Sequence, residues 1–217
     1  MQITRGLKTM RLYNTIETEA VAEQVIDRSR FITYIKPAKT KEEADEFIAE
    51  IKKKHRDATH NVPAMVIGDK MQIQWASDDG EPQGTSGAPM VKMLVSAGIT
   101  NVVVVVTRYF GGIKLGTGGL ARAYTSSAKL GLDAAGICEI WEQSCQTYAL
   151  DYTYLAKLQN MEGDLYQIID LRYTDVVEAD LACDPEKALE LQGFVTNLTQ
   201  GKGILKNEEI RLVSKRI

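Results

Sequence analysis

No Asp or Glu occurs between residues 82 and 132 of this 217-residue chain, although the whole sequence carries 29 acidic residues. The same stretch holds five cations, Lys92, Arg108, Lys114, Arg122 and Lys129, and nine of the 17 glycines. Other scarcities narrow the reading further. Three cysteines (Cys138, Cys145 and Cys183) are odd in number, widely spaced and form no CxxC, which argues against a disulfide framework or a zinc knuckle and for a reducing, cytoplasmic setting. No apolar run approaches the roughly 20 residues of a membrane span, and Met1 is followed by polar chain instead of an apolar signal core, so no membrane association is expected. GxxxxGK[ST] and GxGxxG are both missing, and with them the fingerprints of nucleotide hydrolysis and dinucleotide binding. His55 and His60 are the two histidines; five residues apart they do not share a helix face, and both are expected at the surface or a hairpin edge.

What is present describes an ordinary folded protein, 44% hydrophobic and 25% charged. Its charge is unevenly placed. Residues 1–139 hold 18 Lys plus Arg against 16 Asp plus Glu, and residues 140–217 hold 8 against 13. The first part therefore contains a local, unopposed positive block capable of meeting phosphate, and the second part is acidic.

Along the chain, residues 21–27 and 30–36 read as strands. Thr40 and Glu43 form a capping box for a helix whose apolar face is Ala44, Phe47, Ile48 and Ile51, and whose basic end, residues 52–56, suits the negative pole of the helix dipole. Residues 62–68 and 71–76 alternate as a hairpin. Residues 88–97 read as a short helix, residues 101–107 as a strand buried on both faces because it carries five consecutive valines, and residues 117–135 as a helix rich in small residues that Gly136 ends. The first domain then closes near Ile137. From residue 146 the order is strand (147–152), helix (154–166), two strands (167–173 and 176–182), a helix started by Asp184-Pro185, and a strand (208–213), which is the ferredoxin-like βαββαβ succession.

Two glycine-rich loops carry the candidate chemistry. In the second, Thr117, Gly118 and Gly119 expose the first free amides of a helix after a buried strand, with Arg122 in the first turns and Arg108 and Lys114 at either end of the loop. Amides, helix dipole and cations together favour an anion such as phosphate. Tyr109 and Phe110 offer faces on which a base could stack, while Gly111, Gly112 and Gly116 let the backbone turn. None of the three cations is expected to serve apolar packing. The bland alternative is a tight turn with both aromatics in the core. In the first loop, Asp78, Asp79 and Glu81 are candidate oxygen ligands for a divalent cation, or one of them a general base. Gly80, Gly84, Thr85 and Ser86 are equally ordinary turn chemistry, and Ser86 has no histidine partner marked by sequence.

Ser29-Arg30-Phe31, Asp78-Asp79-Gly80-Glu81-Pro82 with Gly84-Thr85-Ser86-Gly87, and above all Val106-Thr107-Arg108-Tyr109-Phe110-Gly111-Gly112-Ile113-Lys114-Leu115-Gly116 resemble the IMPACT/YigZ family over a region from about residue 20 to the C terminus. The resemblance implies an α+β protein of two domains: a ribosomal protein S5 domain 2-like domain at 20–139, after an extension at 1–19, and a ferredoxin-like domain at 140–217 similar to domain V of elongation factor G. It also implies the bacterial-type form, since fewer than 20 residues stand where eukaryotic members carry a partner-binding domain. No catalytic residue is carried over by it. The leading expectation is a non-enzymatic protein of translation or its regulation that contacts RNA or the ribosome through the basic loop, with a protein partner at the acidic second domain. Against it stand a small-molecule enzyme for a phosphorylated or nucleotide ligand and a protein-interaction adaptor. No cofactor is assigned beyond the divalent cation considered at the acidic loop.

Overall fold

A computed structural model describes residues 11–217, so residues 1–10 of the expected extension lie outside the described residues. Residues 11–16, expected to precede the folded region, form strand β1 (Arg11–Ile16). Ile16 is buried in the core of the first unit, and the amide of Thr100 donates to the carbonyl of Asn14.

The chain divides into two compact units, one of Tyr13–Glu139 with Ser214–Ile217, the other of Ile140–Val213 with Arg11 and Leu12. In the first, β2 (Ala20–Ile26), β3 (Ser29–Pro37), β4 (His60–Ile67), β5 (Ile73–Ala76) and β6 (Val102–Tyr109) make a sheet ordered β2-β3-β6-β4-β5. Its neighbours are all antiparallel. Two layers of helix cover it. On one face Val102, Val104 and Val106 pack with residues of α2 (Gly87–Ser96) and α3 (Gly116–Ala135); on the other Val103 and Val105 pack with Phe47, Ile48 and Ile51 of α1 (Lys41–Lys54). All five valines are fully buried, each removal from water being worth about 1.5–3 kcal/mol. The strand is doubly buried as its composition suggested, but in an antiparallel sheet. The rule that ligands gather at the carboxyl edge of parallel strands therefore does not locate the site here.

α1 begins with the expected capping box, Thr40 Oγ1 accepting from the Glu43 amide and the Glu43 carboxylate accepting from the Thr40 amide. α3 lies close on β3 because Gly131 leaves room for it. A Cβ at that position would stand 2.6 Å from Thr33 Cγ2, and Thr33 cannot swing aside without losing its bond from Oγ1 to the Ser127 carbonyl at 2.9 Å.

The second unit runs β7 (Ile137–Leu150), α4 (Leu155–Asn160), β8 (Gln167–Tyr173), β9 (Val177–Cys183), α5 (Ala188–Leu198) and β10 (Ile204–Arg216). β7 pairs with both β9 and β10, and β8 pairs with β9, the strand order of a ferredoxin-like sheet. Tyr148, Leu181 and Leu191 lie in its core. Three boundaries differ from the sequence expectation. β7 starts at Ile137 and not near residue 147, because its interleaved Glu139, Glu142 and Gln143 mask the alternation. α4 stops at Asn160 before Gly163, so that Tyr166 turns back into the core and donates to the Leu158 carbonyl at 2.6 Å. β10 is 13 residues long instead of six, its exposed positions giving no apolar periodicity. The division between units falls inside β7, not in a linker. All three cysteines are free and buried, and among the described residues no helix is long and apolar enough to cross a membrane.

Gly131→Ala should lower stability by about 1–3 kcal/mol through overpacking against Thr33. Urea denaturation of the two proteins checks this; a midpoint that rises, as helix propensity alone would dictate, contradicts the close approach.

Candidate anion-binding site

The register of three strands sets the centre of the site. Arg108 on β6 is opposite Phe31 on β3 and His60 on β4. The alternation that turns Val102, Val104 and Val106 towards α2 and α3 also turns Arg108 inward, so its side chain is buried under α3. There Arg108 Nη1 donates to Glu81 Oε1 at 2.6 Å, and Tyr124 Oη of α3 donates to the same oxygen at 2.8 Å. Arg108 Nη2 reaches Ser29 Oγ at 3.2 Å, and the guanidinium carbon stands 5.4 Å from the ring centres of both Phe31 and Phe110. Arg108 Nε is buried with no hydrogen-bond partner among the described residues. The expectation that none of the three loop cations serves packing thus fails for Arg108: it is a buried ion-pair residue with an aromatic ring on either side. Burial and the adjacent Glu81 charge raise the Tyr124 phenol well above its ordinary range.

Glu81 is delivered to this pair by the first glycine loop. Asp78 folds the loop by accepting from the amides of Gly84, Ser86 and Gly87 and from Ser86 Oγ at 2.6–3.0 Å. Burial raises the Asp78 carboxyl, but those four donors outweigh it and hold the group below the ordinary value. Asp79 takes Lys52 Nζ at 2.6 Å and the Asn61 amide at 2.7 Å, so one cation of the basic end of α1 has a partner. Asp79 and Gly80 both have positive φ, a turn that aims the Asp79 carbonyl at His60 Nδ1, 2.8 Å away. Thr85 closes the loop onto the Pro82 carbonyl. The three carboxylates therefore have separate partners, and among the described residues no group of three His, Cys, Asp or Glu could hold a metal ion.

Arg108 and Glu81 form the floor of a cavity of 430 Å³ walled by His60, Phe110, Lys114 and the start of α3 at Gly116 and Thr117. Leu115, at the N-cap position, supplies no side-chain hydrogen bond, so the first amides of α3 have no cap. Lys114 is exposed and has no ion-pair partner among the described residues. Arg122, likewise exposed and unpaired, folds back along the helix until its Nη1 lies 3.5 Å from where a Gly118 Cβ would be. It lines a neighbouring cavity of 340 Å³ with Asp27 and Gly119, and Leu115 is common to both cavities. Lys114 and Arg122 thus stand on either side of the uncapped helix start.

The two loop aromatics separate. Phe110 is 46% exposed and lines the cavity, whereas Tyr109 packs on the α1 side, where His55 Nδ1 meets its hydroxyl at 2.9 Å. Gly111 is required for close approach, since a Cβ there would stand 2.0 Å from the Arg28 carbonyl. Gly112 and Gly116 have positive φ and turn the chain into α3. Sequence reasoning missed His60, Tyr124 and Ser29 as parts of the site. In the sequence Ser29 and Phe31 stand out only as part of a motif; antiparallel register is what brings them to Arg108.

Such an assembly, an S5 domain 2-like domain with a cationic, uncapped helix start followed by a ferredoxin-like domain, defines a class of two-domain α+β protein. Residues 27–132 match the Impact N-terminal domain and residues 149–202 a domain of unknown function, DUF1949. The chain is 39% identical to IMPACT family member YvyE of Bacillus subtilis over 94% of its length and 95% of that protein's, and 33% identical to IMPACT family member YigZ of Escherichia coli over 81% and 88%. A solved structure titled as a hypothetical protein is similar with a TM-score of 0.58 at 30% identity, covering 90% of this chain and 97% of that one. The chain belongs to the IMPACT family.

Removing the Arg108 charge should strand Glu81 in the interior. Arg108→Gln is expected to cost about 3–5 kcal/mol and Lys114→Gln within about 0.5 kcal/mol, as read by chemical denaturation. Equal small losses would show that the pair is not buried in solution. A second outcome concerns His55, whose Nε2 and Nδ1 meet the hydroxyls of Tyr34 and Tyr109. Burial first, then Lys54, holds this imidazole below its usual value. A histidine depressed in the folded state stabilises the fold above its unfolded pKa of about 6.5, and that contribution is lost as pH falls through the folded value. The melting temperature should therefore fall on acidification below about pH 6.5, and His55→Gln should flatten that part of the profile.

Proposed function

We infer that this protein is a non-enzymatic, cytoplasmic binding protein linked to translation, which takes a phosphate-bearing nucleotide or the phosphorylated end of an RNA at the start of α3. One observation carries the reading: among the described residues two exposed cations without ion-pair partners stand beside the start of α3, where Leu115 provides no side-chain cap, Lys114 lining the 430 Å³ cavity and Arg122 the neighbouring cavity of 340 Å³. Backbone donors and a helix dipole favour an anion, and cations on both sides add to the same field. A cavity of this size suits one nucleotide better than an extended strand. Support for binding over turnover comes from the acidic loop, where Asp78 organises the backbone, Asp79 pairs with Lys52 and Glu81 pairs with Arg108. The recognition chemistry proposed uses amides and cations, without a resident cofactor.

The test uses 5′-phosphorylated and 5′-hydroxyl oligoribonucleotides of one sequence. The phosphorylated form should bind more tightly, and Lys114→Gln with Arg122→Gln should weaken it while the melting temperature stays within a few degrees. Two lost phosphate contacts should flatten the slope of log K against log salt by roughly 1–2 units. Equal binding of the two oligonucleotides, or a double variant with unchanged affinity and slope, rules the site out.

A further inference from the structure

Two acceptors on the cavity wall receive no hydrogen bond from the described residues. His60 Nδ1 lies 2.8 Å from the Asp79 carbonyl, an oxygen that can only accept, so Nδ1 carries a proton, and in the uncharged form of the ring Nε2 is an acceptor. Glu81 receives Arg108 and Tyr124 on Oε1 alone. Its Oε2 stands 3.8 Å from His60 Nε2, and no hydrogen bond to either atom is made among the described residues. The Glu81 side chain is only 4% exposed and lines the cavity, so a further donor to Oε2 comes from the cavity side.

The spacing selects the donor. A single water or amino nitrogen bridging both atoms at about 2.9 Å would be held at an angle of roughly 80°, narrower than either prefers. A metal ion would lack a third protein ligand among the described residues. Two adjacent, nearly parallel N–H groups on one planar edge meet the pair with little bending. Guanine carries such an edge, N1–H beside the N2 amino group. Adenine and cytosine place an acceptor next to their amino group, and uracil places a carbonyl on each side of its N–H. Phe110, exposed and already seated on the Arg108 guanidinium, offers a ring face to a planar base in the same cavity.

We propose that His60 Nε2 and Glu81 Oε2 are a guanine-reading pair, and that the ligand of the α3 site is a guanine nucleotide, free or as the 5′-terminal residue of an RNA. The assignment rests on the phosphate reading above and adds the identity of the base. The carboxylate takes one donor as a charge-assisted bond, His60 Nε2 takes the other, and the 5′-phosphate lies at the helix start.

Titration calorimetry of the whole protein with GMP, IMP, AMP and ribose 5-phosphate tests this. IMP keeps N1–H but lacks the N2 amino group, and AMP reverses the edge. GMP should bind about tenfold or more tighter than either, because the wrong base leaves a buried acceptor unpaired. His60→Asn should bring the GMP to IMP ratio towards one. If all phosphate ligands bind alike, the guanine assignment is wrong while the phosphate site stands. If none binds, ribose 5-phosphate included, both readings fall. Oligoribonucleotides beginning with 5′-phospho-G and 5′-phospho-A separate the two sources: a preference for phospho-G RNA over GMP assigns the RNA end, and the reverse assigns the free nucleotide.

Discussion

The ion pair between Arg108 and Glu81 is the constraint around which the first unit is arranged. Taking both charges out of water costs several kcal/mol each, and the pair is tolerable only where further hydrogen bonds and good geometry accompany it. Those supports come from separate parts of the sequence: Tyr124 from α3, Ser29 and Phe31 from β3, Phe110 from the loop after β6. Glu81 can reach the pair only because Asp78 gathers the amides of its own loop, and that loop can seat only because Asp79 is held by Lys52 and Asn61. The two glycine-rich segments, 31 residues apart when measured from Asp78 to Tyr109, are consequently one structural object.

The start of α3 is built against local stability. Glycines at 118 and 119 each lower helix propensity by up to about 1 kcal/mol relative to alanine, and Leu115 at the N-cap position forgoes the hydrogen bond that Ser, Thr, Asp or Asn would make there. Gly116 has a conformational reason, a φ of +69°. A Cβ at Gly118 would meet nothing closer than Arg122 Nη1 at 3.5 Å, so packing does not demand that glycine. The Arg122 guanidinium lies beside that position. Helix stability is given up where donors are exposed, which is the pattern of a binding surface.

Most of the first unit was legible in local pattern: the capping box of α1, the valine strand, and the helix ended by Gly136 are all where periodicity and caps put them. The inward course of Arg108 was legible too, since residues 102, 104, 106 and 108 share one face of a strand, but charge drew it to the surface in the reading of composition. His60 was not legible. Its place beside Arg108 depends on the pairing of β4 with β6, and no local signal carries antiparallel register between segments so far apart. The beginning of β7 and most of β10 were hidden for another reason. Their exposed or half-exposed positions alternate charged and apolar residues without a clean period, so propensity and pairing, not amphipathicity, define them.

The proposed anion site contains a carboxylate, Glu81, and the geometry accounts for it. An isolated Glu81 facing a phosphate a few ångströms off would be repelled by about 4 kcal/mol at an intermediate dielectric. Arg108 Nη1 at 2.6 Å opposes that field at short range, and Lys114 at the same cavity with Arg122 at the neighbouring one adds positive charge beside the start of α3. Neutralisation leaves the lone pairs of Glu81 Oε2 in place, because a hydrogen-bonding direction survives when net charge does not. On the proposed reading, acceptors at the base of the cavity, exposed cations near its mouth and the Phe110 ring let charge set affinity and acceptor placement set which ligand fits.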